Sequence, residues 1–475
     1  MGQIRSRTWS NKHWGVWQSA RMMPRFAMLL ICLSGIFIPL LLSGAAQAAV
    51  AASSGPCPST RRGVNLALPA VVRLTTTFQA QLTYYNLDGS SVQFPQGGGS
   101  YQITVSGSGA FISSTGVALT AAHVVSLSED EQANLLLQRA APDIAQAINS
   151  AHPSQTVTAN DIYTLLRTTP DAWQGTYGQT QTGVYLSSQY TGPTDAASLD
   201  ELSSFPVSIL AQGSPDQPVY NDLAVVQVGG VQDVPTVSLG DVSQVYQGDP
   251  LTILGFPGTA DLAFSDGAIE PNNFITPSLE NVAVSAFKTT TDEAKVIQVD
   301  GTLEQGQSGA PALTADGQLV GVADFLLTSA DSAGQTSFLS SVNDVAPLLQ
   351  QAGIHLETGK FEKRWAAAYD ACASTAPGHW HDAANQFASL VRAYPDAKGM
   401  QPYLTYSRSQ AAKEPAPNKT QMLLLGLGAV VVVLAVVVAV VLWIRRRRKA
   451  LISMQSQGGA FVGVGPGLNE ETLAP

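Results

Sequence analysis

The sequence predicts a mainly β protein: an antiparallel barrel or sandwich with an α-helical insertion, followed by a small helical module and one transmembrane helix. Three observations carry that reading. From about residue 65 to residue 349, short β-branched runs such as "YQITVSGSGAFISS", "NDLAVVQVGG" and "PLTILGFPG" alternate with Gly, Ser, Asp and Pro clusters, the pattern of many short strands joined by turns. Between residues 127 and 200, and again beyond residue 353, apolar residues recur at helical spacing instead. Residues 422–444 form a run of 23 residues without a charge, enough at helical rise to cross a bilayer. At 475 residues and 45% hydrophobic, the chain can bury one sizeable core or two small ones.

The elements follow in order. Arg5, Arg7, Lys12, Arg21 and Arg25 precede "FAMLLICLSGIFIPLLL" and the small-residue stretch "SGAAQAA". Residues 1–48 therefore read as a signal peptide, cut after Ala46-Gln47-Ala48, with an uncleaved anchor as the alternative. The β-rich region spans residues 65–350. Its insertion, about 127–200, carries "SEDEQANLLLQRAAPDIAQAINSAHP" and "ANDIYTLLRTTPDAW", both with helix-start residues, and a short strand in "GVYLSS". Residues 354–413 read as three helices with Trp365, Tyr369, Trp380, Ala383, Phe387 and Leu390 on packing faces. The order from Gly378 to Tyr394-Pro395 resembles one tetratricopeptide-type repeat, and a protein partner at this module is one expectation. After residues 422–444, "RRRRK" at 445–449 marks the cytoplasmic side. The expected topology is a single-pass type I protein of the cell membrane, with residues 445–475 as cytoplasmic tail and the β-rich body extracytoplasmic.

Charge excludes one class of function. The formal net charge is −10, and the basic residues cluster at the two ends. The body is therefore more acidic than the total, and no nucleic-acid partner is expected. Of three cysteines, Cys32 falls within the signal, leaving Cys57 and Cys372 as a pair that an oxidising compartment would permit. His379 and His381 are two apart and so lie on different sides of a helix. No metal site is expected there or elsewhere, and no cofactor.

The chemistry rests on three residues, each unremarkable alone. His123 follows the apolar run of "GVALTAAHVV"; a histidine beside apolar residues is commonly structural. Ser308 sits in "GQSGAP", where flanking glycines let the backbone turn sharply and aim amides at one point. Asp222 opens the run "DLAVVQV"; a carboxylate buried there needs a partner, and an imidazole N–H would serve.

Together, the order His, Asp, Ser and the surrounding residues resemble the trypsin-like serine peptidases, specifically the HtrA type. The motifs are "GSGAFISSTGVALTAAHVV", "NDLAVVQV", "LGDVSQVYQGD", "LGFPG" and "GQSGAPALTADGQLVGV", covering about residues 69–349. The resemblance implies a chymotrypsin-like fold of two packed six-stranded barrels. It also implies Ser308 as nucleophile, His123 as general base, Asp222 as orienting carboxylate, and the amides of Gly306 and Ser308 as oxyanion hole. By the family's pocket positions, Leu303 and Phe325 would line the first specificity pocket, with Asp324 beside them as a lesser basic preference. The implied activity is endopeptidase action on protein or peptide substrates; a silent scaffold or a regulatory protease dedicated to one partner are the rivals. Three features depart from the family. Asp222 lies 99 residues after His123, Gln307 replaces an Asn or Asp, and Ala310 replaces a Gly. A helical module and a membrane segment stand where a PDZ domain would follow.

Overall fold

The computed structural model describes residues 55–86, 88–154, 156–193, 204–213, 222–258, 271–290, 294–324, 337–395, 397–414 and 433–445. The chain divides into two units, residues 1–58 and 59–475. In the first, Cys57 is buried and disulfide-bonded; in the second, so is Cys372. The expected signal peptide lies outside the described residues.

Fourteen strands are described, and two rings of six account for the β-rich region. The first ring consists of β1 (Val71–Tyr85), β3 (Tyr101–Ser113), β4 (Val117–Thr120), β8 (Ala224–Val228), β7 (Phe205–Gln212) and β6 (Gln181–Leu186). It closes because β6 pairs back onto β1, with Val72 opposite Leu186 and Thr77 opposite Gln181. The second is a closed barrel of β9 (Pro250–Gly255), β10 (Ser278–Thr289), β11 (Lys295–Val299), β14 (Ser337–Ser341), β13 (Leu319–Asp324) and β12 (Pro311–Leu313). All strand pairings in both rings are antiparallel. Closure leaves no sheet edge in either ring. The open choice between barrel and sandwich is thus resolved as two barrels.

β1 is long enough to serve two neighbourhoods. Its first half closes the barrel; its second half runs outward and pairs with β2 (Ser91–Phe94) and β5 (Trp173–Tyr177). Short helices begin the domain at α1 (Arg62–Ala67) and follow β4 at α2 (Ala122–Val125). Against the outer ends of β1 and β3 pack α3 (Glu129–Ala151) and α4 (Ala159–Thr168). Each starts in a capping box: Ser128 with Glu131, and Thr158 with Asp161, satisfying backbone donors at both ends of the exchange. Phe78, Leu82, Ile103, Leu136, Ile144 and Leu166 belong to the core they share, separate from the barrel cores. The insertion expected over residues 127–200 therefore needs a correction. "GVYLSS" does not belong to it: Gly183–Leu186 lie in β6, which closes the first barrel. Periodicity marks a strand but not the strand it pairs with.

Beyond the barrels, α5 (Val345–Ala352) ends at Gly353, whose φ of +67° terminates the helix in the left-handed region. The three expected helices of the C-terminal module are present as α6 (Lys360–Ala373), α7 (His379–Ala393) and α8 (Gln401–Ala411). They pack around Trp365, with Phe387 and Tyr403 edge-on at 5.7 and 5.0 Å. The module is docked on the first barrel's side. Asp233, in the left-handed region at φ 51°, accepts from the Phe361 N–H and the Tyr394 hydroxyl. Arg62 of α1 pairs with Asp370 of α6. Among the described residues no helix is long and apolar enough to cross a membrane. Residues 422–432 of the expected span lie outside them, and residues 433–445 are helical.

Candidate active site

His123 lies in α2, one turn of helix beginning two residues after β4 ends at Thr120. The chain thus leaves the barrel wall before presenting the ring. Asp222 stands just ahead of β8, the partner strand of β4, so barrel register brings the two together across 99 residues. The pairing is two-pronged. The His123 backbone N–H donates to Asp222 Oδ1 at 3.0 Å, and Nδ1 lies 2.5 Å from Oδ2. Asp222 is 1% exposed and His123 7%, so the bond sits in a low-dielectric interior, where an unpaired carboxylate would be costly. Burial lowers the imidazole pKa, but the charge and hydrogen bond of Asp222, together with the charges of Asp324 and Glu131, outweigh it, and His123 is held above its ordinary value.

Ser308 comes from the second barrel, on the turn between β11 and β12, and is buried. The turn depends on two glycines. Gly306 has φ +92°, and a Cβ there would meet Phe256 O at 2.5 Å. Gly309 has φ +86°, and its Cβ would meet Ser108 O at 2.0 Å and Ala121 N at 3.0 Å. Gly309 thus abuts Thr120 and Ala121, immediately ahead of His123, and only glycine permits that approach. The turn is also tied to its own barrel, because the Gly309 N–H donates to Ala323 O and the Ala323 N–H to Ala310 O, both at 2.9 Å.

One residue missed by the sequence reading holds this arrangement together. Ser108, the middle of "GSG" on β3, donates its backbone N–H to Ser308 O and its hydroxyl to Gly306 O, each at 2.8 Å. Its Oγ accepts from the Phe256 N–H at 3.0 Å, and its carbonyl accepts from Thr120 Oγ1 at 2.7 Å. It therefore joins the first barrel to the nucleophile turn and to the "GFPG" segment. The motif itself was the available signal; its partners were not.

The departures from the family pattern find their settings here. Gln307 Oε1 accepts from the Glu304 N–H, and Nε2 donates to Glu280. The Ala310 methyl group faces Gly255, whose missing side chain makes room: a Cβ there would come within 2.8 Å. Leu303 is 2% exposed and packs in the second-barrel core. Phe325 lies outside the described residues. Asp324, expected to lend the specificity pocket a lesser basic preference, has its carboxylate near the imidazole. It is buried, and one oxygen lies within 4.8 Å of ligating atoms of both His123 and Asp222. His379 and His381 have structural partners, Ala371 O and Glu414 Oε2.

Parts of the chain are similar to known proteins. Residues 107–322 match the trypsin-like peptidase domain family. The serine protease Do-like HtrB of Bacillus subtilis (strain 168) is 28% identical over 142 residues, 30% of this chain and 29% of that protein. Serine protease PepD of Mycobacterium tuberculosis (strain ATCC 25618 / H37Rv) is 29% identical over 144 residues, 30% of each. The chain thus spans under a third of the length of these curated relatives. A solved structure described as HtrA-type protease AlgW with decapeptide aligns with 63% of this chain and 69% of that one, at 16% identity and a TM-score of 0.36. Residues 107–322, the segment that carries His123, Asp222 and Ser308, thus match a trypsin-like peptidase domain and are similar to serine proteases of the HtrA type.

Proposed function

We propose that the chain is a membrane-tethered extracytoplasmic serine endopeptidase acting on unfolded or envelope proteins through an acyl-enzyme on Ser308. The observation that carries this is the buried two-pronged pairing of Asp222 with His123, set beside a glycine-shaped serine turn from the other barrel. With Nδ1 engaged by Asp222, Nε2 is the nitrogen left to take a proton. Ser308 Oγ attacks the scissile carbonyl carbon as its proton passes to Nε2, and Asp222 stabilises the imidazolium. The oxyanion is received by the amides of Gly306 and Ser308. Collapse breaks the C–N bond, His123 gives its proton to the departing amine, and water repeats the sequence to release the acid. Leu303 and Phe325 are read as the floor of the first specificity pocket, favouring small or medium apolar side chains before the cut.

The membrane tether rests on the uncharged run 422–444 and the basic stretch behind it. It is supported by the exposed apolar surface of the described part of that segment, where Val433 is 61% exposed and Trp443 57%. The helical module is read as a seat for a protein partner.

The test is reaction of the full-length protein with a serine-directed fluorophosphonate, together with hydrolysis of an unfolded protein such as casein. Wild type should label and cut, Ser308→Ala should do neither while keeping its melting temperature, and His123→Ala should lose several orders of magnitude in rate. A folded wild type that neither labels nor cuts would leave the scaffold reading in its place.

A further inference from the structure

We propose, resting on the peptidase reading, that Asp324 is a second carboxylate of the catalytic base: a positioning residue that holds the His123 imidazole between two negative charges and raises the pH at which the base works. Nothing in the three-residue mechanism requires it.

The placement follows from the strand that carries it. Asp324 is the last residue of β13, and its neighbour Ala323 clamps the nucleophile turn through the bonds to Gly309 and Ala310. The position of Asp324 is therefore set by the same contacts that set Ser308. It is 1% exposed. The Ser340 hydroxyl of β14 donates to its Oδ2 at 3.3 Å. One carboxylate oxygen, one oxygen of Asp222 and one ring nitrogen of His123 all lie within 4.8 Å of one another. An anion at that range stabilises an imidazolium and disfavours its loss of a proton. The charged groups acting on the ring are Asp222 ahead of β8, Asp324 at the end of β13 and Glu131 on α3, and all three push its pKa upward. Burial opposes them, and they prevail.

The sign is definite. The base must be neutral to accept the serine proton, so a raised imidazole pKa costs activity on the acid side and nothing above it. Asp324 makes the site an alkaline-leaning one that falls silent as pH drops.

The test is the rate of fluorophosphonate labelling of the full-length protein in detergent, measured from about pH 5 to pH 10. Asp324→Asn should move the midpoint of the acid limb downward by about one on the pH scale, making labelling about tenfold faster below both midpoints. The alkaline plateau should stay within a few-fold of wild type. Asp324→Glu should restore most of the wild-type midpoint, a rescue that loss of packing would not show. Glu131→Gln should move it in the same direction by less. A folded Asp324→Asn variant with an unchanged or raised midpoint overturns the proposal. Should that variant fail to fold, Asp324→Ser takes its place in the same measurement: a lowered midpoint supports the proposal, and an unchanged or raised one overturns it. A wild type that never labels refutes the peptidase reading instead, and ¹⁵N NMR titration of His123 in the wild type and the folded Asp324 variant then judges Asp324: a lower imidazole pKa in the variant supports it, and an equal or higher one overturns it.

Discussion

Single atoms decide whether the serine turn forms. A methyl group on Gly309 would enter Ser108 O and Thr120 Oγ1 from a backbone already at positive φ, so neither the turn nor the first barrel can yield cheaply. Gly309→Ala should abolish fluorophosphonate labelling and lower the melting temperature. Ala310→Gly, which only empties a methyl-sized space against Gly255, should cost about 1 kcal/mol and keep most labelling. Equal loss in both variants would deny the close approach its role. Ser108 is subtler, because its backbone bond to Ser308 O survives any side-chain change. Its hydroxyl, however, is fully buried and links Gly306 with Phe256, the kind of connected polar group whose removal strands its partners.

Two elements carry consequences of their own. Excision of the whole expected insertion, residues 127–200, removes β6 and opens the first barrel along β1. That variant should not fold. Excision confined to residues 128–169 should leave a barrel that folds but binds a hydrophobic dye, because Phe78, Leu82 and Ile103 lose their cover. Near-ultraviolet circular dichroism and dye binding separate the two. The second element is α6, whose Glu362 accepts from the Thr236 N–H at 2.8 Å. Burial pushes its carboxyl up from the ordinary 4.5 to about 7. A carboxyl raised in the folded state contributes stability that is full below pH 4.5 and lost as pH rises through 7. The loss is on the order of 2 kcal/mol, discounted for partial exposure. Glu362→Gln should therefore melt higher than wild type at pH 8 and match it near pH 4, in thermal melts across that range. Identical pH slopes in both proteins would refute this.

At the scale of the whole molecule, the proposed type I topology makes a direct prediction. A protease added outside intact cells should reach the barrels and the helical module but leave the tail after Lys449 intact, as read by antibodies to each end. Digestion of the tail with a protected body would reverse the topology. The helical module meets the first barrel's side through polar contacts of Asp233, Glu362 and Asp370.

What the sequence determined by itself was whatever is local in the chain. Strand runs, the capping boxes at Ser128 and Thr158, the Gly-Gln-Ser-Gly turn and the order of His123, Asp222 and Ser308 depend on neighbours a few residues away, and period, turn chemistry and motif record such neighbours. Whatever depends on which strand lies beside which was decided only by the tertiary structure. The double use of β1 turned "GVYLSS" from insertion into barrel wall. The meeting of β3 with the nucleophile turn made Ser108 a hub, and the register of β13 set Asp324 beside the imidazole. These are contacts across tens to hundreds of residues, and no periodicity encodes them, because the residues at either end look like ordinary members of their own strands until barrel closure brings them within reach of each other.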